Sequence, residues 1–319
     1  MDILDYNTVM EDKKFYKYRE FDMAPRENGE ISDSTKYTLN LLKDGELYFA
    51  APSEFNDPYD ALIEYDMSLL SLKHLRKNKE ERIRMHPNEA PEIEFMLTHP
   101  KEGERRMKDL ASYLTPHINQ PHRGCHHFEY LRICCLCQSY NVTHMWNKYA
   151  DKETGICVEL RPELLYFPHH GWHPAPALGF LNCSKLTADK EFYERSIVLY
   201  RDLAYLELEK VEYRKHRLPP IDFWGSDVND LRNYLKTKTL KWKDEKEWRM
   251  IMNVHGVETM NIRLARNTIT RIYLGPNINA VSKNTVLELV SDKSCNCYGA
   301  EVVQLEKVGR DNYICNTLL

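Results

Sequence analysis

An α+β fold, with a mixed or split sheet interrupted by helical insertions, is what the sequence predicts, and three observations carry that expectation. Short alternating segments rich in aromatic and β-branched residues recur along the 319 residues, the pattern of half-buried strands. Between them stand charged stretches with apolar residues at helical spacing. Gly and Pro are scattered and no internal repeat marks a linker, so one interwoven domain over 1–319 is expected rather than two.

The elements follow in order. "KFYKYRE", residues 14 to 20, alternates as a strand. "STKYTLNLLKDG" reads as a short helix with Ser34 or Thr35 as N-cap and Gly45 as its stop. "ELYFAAP" is a second strand closed by Pro52, and the turn-rich loop "SEFNDPYD" follows. From about 68 to 120 the chain is charged and broken by Pro and Gly, a first helical insertion. "LRICCLCQS" is a third strand, "THMWNKYA" a helical turn, and "TGICVELRP" a fourth strand opened by Gly155. A second insertion spans about 161 to 235. In it "DKEFYERSIVLYRDLAYLELEKVEYRKHR" supports a long helix ended by Pro219-Pro220, and "DVNDLRNYLKTKTLKW" another. The strands "EWRMIMNV" and "ITRIYLG", the helix "SKNTVLELV" and an edge-like strand "AEVVQLE" complete the chain.

Composition narrows the function. A net charge of −4 with 29% charged residues argues against binding nucleic acid through overall charge, although "KHLRKNKEERIR", "EYRKHR" and "KTKTLKWK" leave local basic faces. The N-terminus has no signal-peptide pattern, and no window approaches the roughly 18 apolar residues of a membrane span, so a cytoplasmic protein with no membrane partner is expected. Nine cysteines suit no disulfide framework, and Cys134, Cys135 and Cys137 in one apolar run read as reduced core thiols. A zinc set joining Cys125, His126 and His127 to Cys134 or Cys137 fits none of the usual spacings. No metal site is expected.

Three strand edges carry more polar chemistry than a fold needs. Tyr18 and Arg19 end the first strand in "YKYR"; Ser139 closes the third, with Trp146 and Tyr149 on one face of the following turn; Glu245 and Glu247 stand two apart at the start of "EWRMIMNV". If the strand begins early enough, both acids and Arg249 share a face while Trp248 and Met250 point to the other. Arg offers a fork for phosphate, and Glu accepts from a hydroxyl near developing positive charge. Such a set suits a dinucleotide and cleavage of its glycosidic bond. Each residue also has a structural reading: a surface ion pair for Arg19, a turn for Ser139, a solvated strand face for the acids, core for Trp146 and Tyr149.

"YKYR", "LYFAAPSEFNDPYD", "MWNKYADKETGICVEL" and "KWKDEKEWRMI", in this order, resemble a bacterial family catalogued as domain of unknown function 2971. A more distant similarity is to the ADP-ribosyltransferases of the Arg-Ser-Glu type. Their order is a strand with Arg or His, a helix, a strand, a Ser-bearing strand end, an aromatic turn, a Gly-led strand and a strand with catalytic Glu, often E-x-E. Arg19, Ser139 and Glu245-Lys246-Glu247 fall at those positions; the usual S-T-S is here "QSY", so one serine position is matched.

The resemblance implies an ADP-ribosyltransferase-like sheet and NAD as substrate. Arg19 would grip the pyrophosphate, Ser139 orient Glu247, Tyr149 or Trp146 stack on nicotinamide, and Glu245 position the acceptor. Asn56 and Asp57 would form a rigid lip beside the nucleotide. Arg19, Ser139 and Glu247 are therefore expected to line one cleft. The implied acceptor is an intracellular macromolecule, nucleic acid preferred over protein, as for a toxin or anti-phage effector with an antitoxin or regulator. The alternatives are a non-enzymatic nucleotide- or partner-sensing module and a nuclease whose metal is held by Glu245, Glu247 and Asp57.

Overall fold

A computed structural model describes residues 14–24, 29–116, 131–161, 196–197, 206–222, 233–253, 261–264, 266, 268–309 and 312–319. The chain divides into two compact units, one built from 1–50, 132–211 and 241–319, the other from 51–131 and 212–240.

The first unit begins with strand β1 (Phe15–Arg19) and helix α1 (Asp33–Asp44). The N-cap of α1 is Ser32, whose hydroxyl accepts the Thr35 N–H, rather than Ser34 or Thr35; the acidic Asp33 then occupies the first turn, where the helix dipole favours it. Gly45 ends the helix in the left-handed conformation at φ 72°. Strand β2 (Glu46–Tyr48) follows and, among the described residues, pairs with β10 (Asn261–Arg263) as a separate two-stranded sheet.

The other strands of this unit are β3 (Leu131–Cys137), β4 (Ile156–Leu160), β5 (Ser196–Ile197), β6 (Leu206–Lys210), β9 (Glu247–Asn253), β11 (Ile269–Leu274), β12 (Glu301–Val308) and β13 (Asn312–Thr317). With β1 they form a nine-stranded mixed sheet in the order β13-β12-β11-β4-β1-β3-β9-β6-β5. Helix α6 (Thr143–Tyr149) precedes β4, and α7 (Ala280–Ser291) connects β11 to its parallel neighbour β12.

Strand alternation divides the core by face. Phe15, Cys134, Ile156, Met250 and Ile272 join Leu41 and Leu42 of α1 and Val286 of α7 in one cluster. Tyr16, Tyr18, Cys137, Cys157 and Tyr273 join Trp146 of α6 in the other. Cys134 and Cys137 do stand at C-x-x-C spacing, yet residues three apart on a strand point oppositely, and the two thiols lie in different clusters. Burial pushes the Cys137 thiol up to about 11. Cys125, His126 and His127 lie outside the described residues. Gly155 and Gly275 permit close backbone contact, since a Cβ on either would lie 2.2 Å from a carbonyl oxygen, that of Arg19 or Glu153.

Two expectations change here. The long helix over "DKEFYERSIVLYRDLAYLELEKVEYRKHR" is contradicted where it is described: β5 and β6 lie within it, and β6 pairs antiparallel with β9, Leu208 opposite Met250. "LELEK" alternates with period two, and the hydrogen bonds offered by β9 outweigh its helical propensity. "AEVVQLE" is not an edge strand, because β13 covers it.

The second unit holds α2 (Leu72–Lys77), α3 (Lys79–Met85), α4 (Ala90–Thr98) and α5 (Pro100–Leu114), the helices expected between 68 and 120. Leu72, Leu75, Ile93, Met96 and Met107 form its core. Strands β7 (Glu212–Arg214) and β8 (Thr237–Thr239) pair in parallel. Of the helix expected over "DVNDLRNYLKTKTLKW", 227–232 lie outside the described residues, 233–235 are helical, and the remainder is β8 and a 3-10 segment, Leu240–Glu245, that leads back into the first unit.

Candidate functional site

The acids of "EKEWR" are not a solvated face. Glu245 and Glu247 are each 3% exposed. Strand β9 begins only at Glu247, and Glu245 ends the 3-10 segment before it. Between them Lys246 is left-handed at φ 45°, a conformation that costs a non-glycine residue about 1–2 kcal/mol. Its carbonyl accepts the Gln138 N–H at 3.1 Å, which fixes the turn against the end of β3.

The two carboxylates have different partners. Glu247 takes the Arg249 guanidinium, Nε to Oε1 at 2.7 Å and Nη2 to Oε2 at 3.4 Å, and Arg249 is fully buried. Glu245 accepts the Tyr149 hydroxyl at 2.8 Å and the Lys148 ammonium at 3.2 Å. The same ammonium lies 3.8 Å from the centroid of the Trp242 ring, a cation–π contact. Helix α6 thus presents a phenol and a cation to one acid, while the strand's own i+2 neighbour neutralises the other.

The remaining expected residues sort differently. Trp146 is fully buried, edge-on to Tyr18 at 5.1 Å, and its indole N–H donates to the Tyr140 carbonyl at 2.8 Å. It is core and offers no face to nicotinamide. Tyr18 is also buried; its hydroxyl donates to the Ser139 carbonyl at 2.9 Å, and burial pushes its pKa well above the ordinary value. The Ser139 hydroxyl accepts the Asn141 N–H at 3.1 Å. Ser139 is a turn residue, and Arg249 does the orienting of Glu247 expected of it.

Arg19 does not join this group. Its strand parity is that of Phe15, and it pairs with Ile156 in the register of β1 and β4, both on the α1 and α7 side of the sheet. Trp248 packs edge-on against Phe15 at 5.3 Å, so Trp248 and Met250 share the Arg19 face and Glu247 and Arg249 point to the opposite one. The expectation of one cleft lined by Arg19, Ser139 and Glu247 is therefore corrected: the even spacing from Phe15 to Arg19 and the odd spacing from Trp248 to Glu247 separate them. The Arg19 Nε is buried without a hydrogen-bond partner among the described residues, and burial lowers the guanidinium's pKa.

Asn56 and Asp57 belong to the second unit. Asp57 ties down its own loop, Oδ1 accepting the Tyr59 N–H at 3.1 Å, while Asn56 is exposed. Among the described residues no group of three or more His, Cys, Asp or Glu is arranged to hold a metal ion, and no helix is long and apolar enough to cross a membrane.

Sequence reasoning missed Lys148 and Trp242, and it set Arg249 on the Glu247 face without giving it a role. The signal for Arg249 was its i+2 spacing from Glu247; Lys148 and Trp242 lie inside the quoted motifs, but only the fold brings them to Glu245. No curated protein and no solved structure matches the chain. A family model, described as a protein of unknown function (DUF2971), matches residues 145–250, the segment that runs from α6 to β9 and contains Lys148, Tyr149, Trp242, Glu245 and Arg249.

Proposed function

We propose that the chain is a NAD-dependent ADP-ribosyltransferase and that Glu245, rather than Glu247, is its working carboxylate. The observation that carries the reading is the holding of Glu245 by Tyr149 and Lys148. A carboxylate oriented by a phenol and an ammonium in a poorly solvated place stabilises an oxocarbenium-like ribose by charge. Glu247 is held by a fully buried guanidinium, whereas the cation on Glu245 is partly exposed and can move to admit a ligand. The mixed sheet and the order of the motifs along the chain support an ADP-ribosyltransferase-like core.

In this reaction the bond from nicotinamide nitrogen to ribose C1′ breaks, nicotinamide leaves with the bonding pair, and an acceptor nucleophile closes on C1′. Glu245 would accept from the ribose hydroxyl beside that carbon. Lys148, its side chain 24% exposed, is a cation on this face suited to the dinucleotide phosphates. Arg19, expected for that role, lies on the other face. The acceptor we assign to the reading is an intracellular macromolecule, nucleic acid before protein, consistent with a toxin or defence effector held in check by an antitoxin or regulator.

Incubation with NAD labelled in the ADP-ribose half, in cell extract, tests this. Label that survives in polymer and is released by nuclease or by protease identifies the acceptor. A sensing module would bind NAD without releasing nicotinamide.

A further inference from the structure

The second unit contains a cavity of about 30 Å³ between the "FNDPYD" loop, the segment before Pro219 and strand β8. That is room for about two waters. Two cations, Arg217 and Lys238, and two carboxylates, Asp57 and Asp60, stand in its wall. Asp60 and Lys238 pair at 3.1 Å with side chains 5% and 8% exposed. Arg217 pairs with Glu64 at 2.9 Å and lies over the Tyr59 ring, 4.5 Å from its centroid. Tyr59 is half exposed and so belongs to the mouth. Thr239 also lines it, and its hydroxyl oxygen is buried and has no hydrogen-bond partner among the described residues. A buried hydroxyl in that condition carries a desolvation cost that a partner atom would remove.

These features sort the ligands. A metal ion finds Asp60 facing Lys238 and Asp57 turned to its own loop backbone. An inorganic anion would sit against two carboxylates. A bulky solute fits only by one edge. What remains is a neutral, planar group with donors and acceptors at its rim, for which a charge-balanced wall, a buried hydroxyl and an aromatic ring backed by a guanidinium are complementary. We infer that this cavity takes the edge of a nucleobase, stacked at the Tyr59–Arg217 pair with a rim atom at the Thr239 hydroxyl and with sugar and phosphate left in solvent. The base can come from a free nucleoside or from a single strand, and both present the same face.

The test is calorimetric titration of the full chain with the four ribonucleosides and, separately, with a short mixed-sequence RNA strand. The expected result is binding by at least one probe. Tyr59→Ala should weaken it by about fivefold or more, the loss of one base–aromatic stack. Thr239→Val, which keeps shape and removes the unpartnered hydroxyl, should weaken binding while melting no lower than wild type. Tyr113→Ala, an exposed aromatic in the same unit, should change nothing. Nucleoside binding points to a free nucleotide, and strand binding alone to a polymer. Failure of every probe to bind wild type, or equal binding by Tyr59→Ala and Thr239→Val, overturns the inference.

Discussion

Removing one partner of a fully buried ion pair costs more than removing one whose mate is partly exposed, and that makes Glu247 and Glu245 separable. Arg249 is fully buried against Glu247, so Glu247→Gln is expected to destabilise by about 3–5 kcal/mol. Glu245→Gln keeps an acceptor for Tyr149, and the Lys148 ammonium can turn to solvent, so about 1–2 kcal/mol is expected. Urea unfolding of the two variants checks the order; equal losses would mean that the pairing does not distinguish the acids. The E-x-E spacing was legible in the sequence, but not which cation each acid takes. That depends on Lys246, whose left-handed backbone no propensity foretells, and on the helix that brings Tyr149 to Glu245. Arg19 shows the complementary failure: motif order says nothing about parity, and parity sets the face.

At the scale of elements, the connection from α6 to β4 is the least ordinary. Asp151, Lys152 and Glu153 are consecutive left-handed residues at φ 42°, 53° and 74°. The turn is held from both sides: the Lys152 and Glu153 N–H groups donate to Asn147 and Trp146 carbonyls, and the buried Glu153 carboxylate accepts from Lys307 and the Tyr313 hydroxyl. Lys152→Gly should raise stability by about 1 kcal/mol by relieving left-handed strain, whereas Glu153→Ala should cost about 3 kcal/mol by stranding buried donors; thermal melts decide both. On β4, burial pushes the Glu159 carboxyl up, but Lys14 at 3.1 Å, Thr270 at 2.9 Å and the nearby Arg271 more than offset it, leaving its pKa below the ordinary value. A folded pKa below the unfolded one, about 4.3, contributes stability above that pH that is lost as pH falls through the folded value. Glu159→Gln should therefore be less stable than wild type at neutral pH and lose less on acidification; parallel melting curves from pH 7 to strong acid would contradict this. Most elements were legible because one face of each is buried. β6 was not, since leucines and charged residues inside a long charged run mimic a helix until a neighbouring strand supplies the ladder, and β13 was hidden by its polar exposed side.

For the molecule as a whole, two units drawn from non-contiguous segments explain why no linker composition marks a boundary: the chain leaves the first unit and returns to it twice. Strand β4 is buried along its entire length between β11 and β1, whereas the second unit's helices carry exposed ion pairs such as Arg105 with Glu102 and Asp109, which contribute little and are screened by salt. Amide exchange should accordingly be slowest in β1, β4 and β11 and faster in α2 to α5, and salt should speed the latter alone. The central claim is chemical, and nicotinamide release from NAD in the presence of cell extract tests it most directly. Wild type is predicted to release nicotinamide, with Glu245→Gln slower by about a hundredfold at a temperature where both are folded; no release by wild type, or equal release by Glu245→Gln, would contradict it.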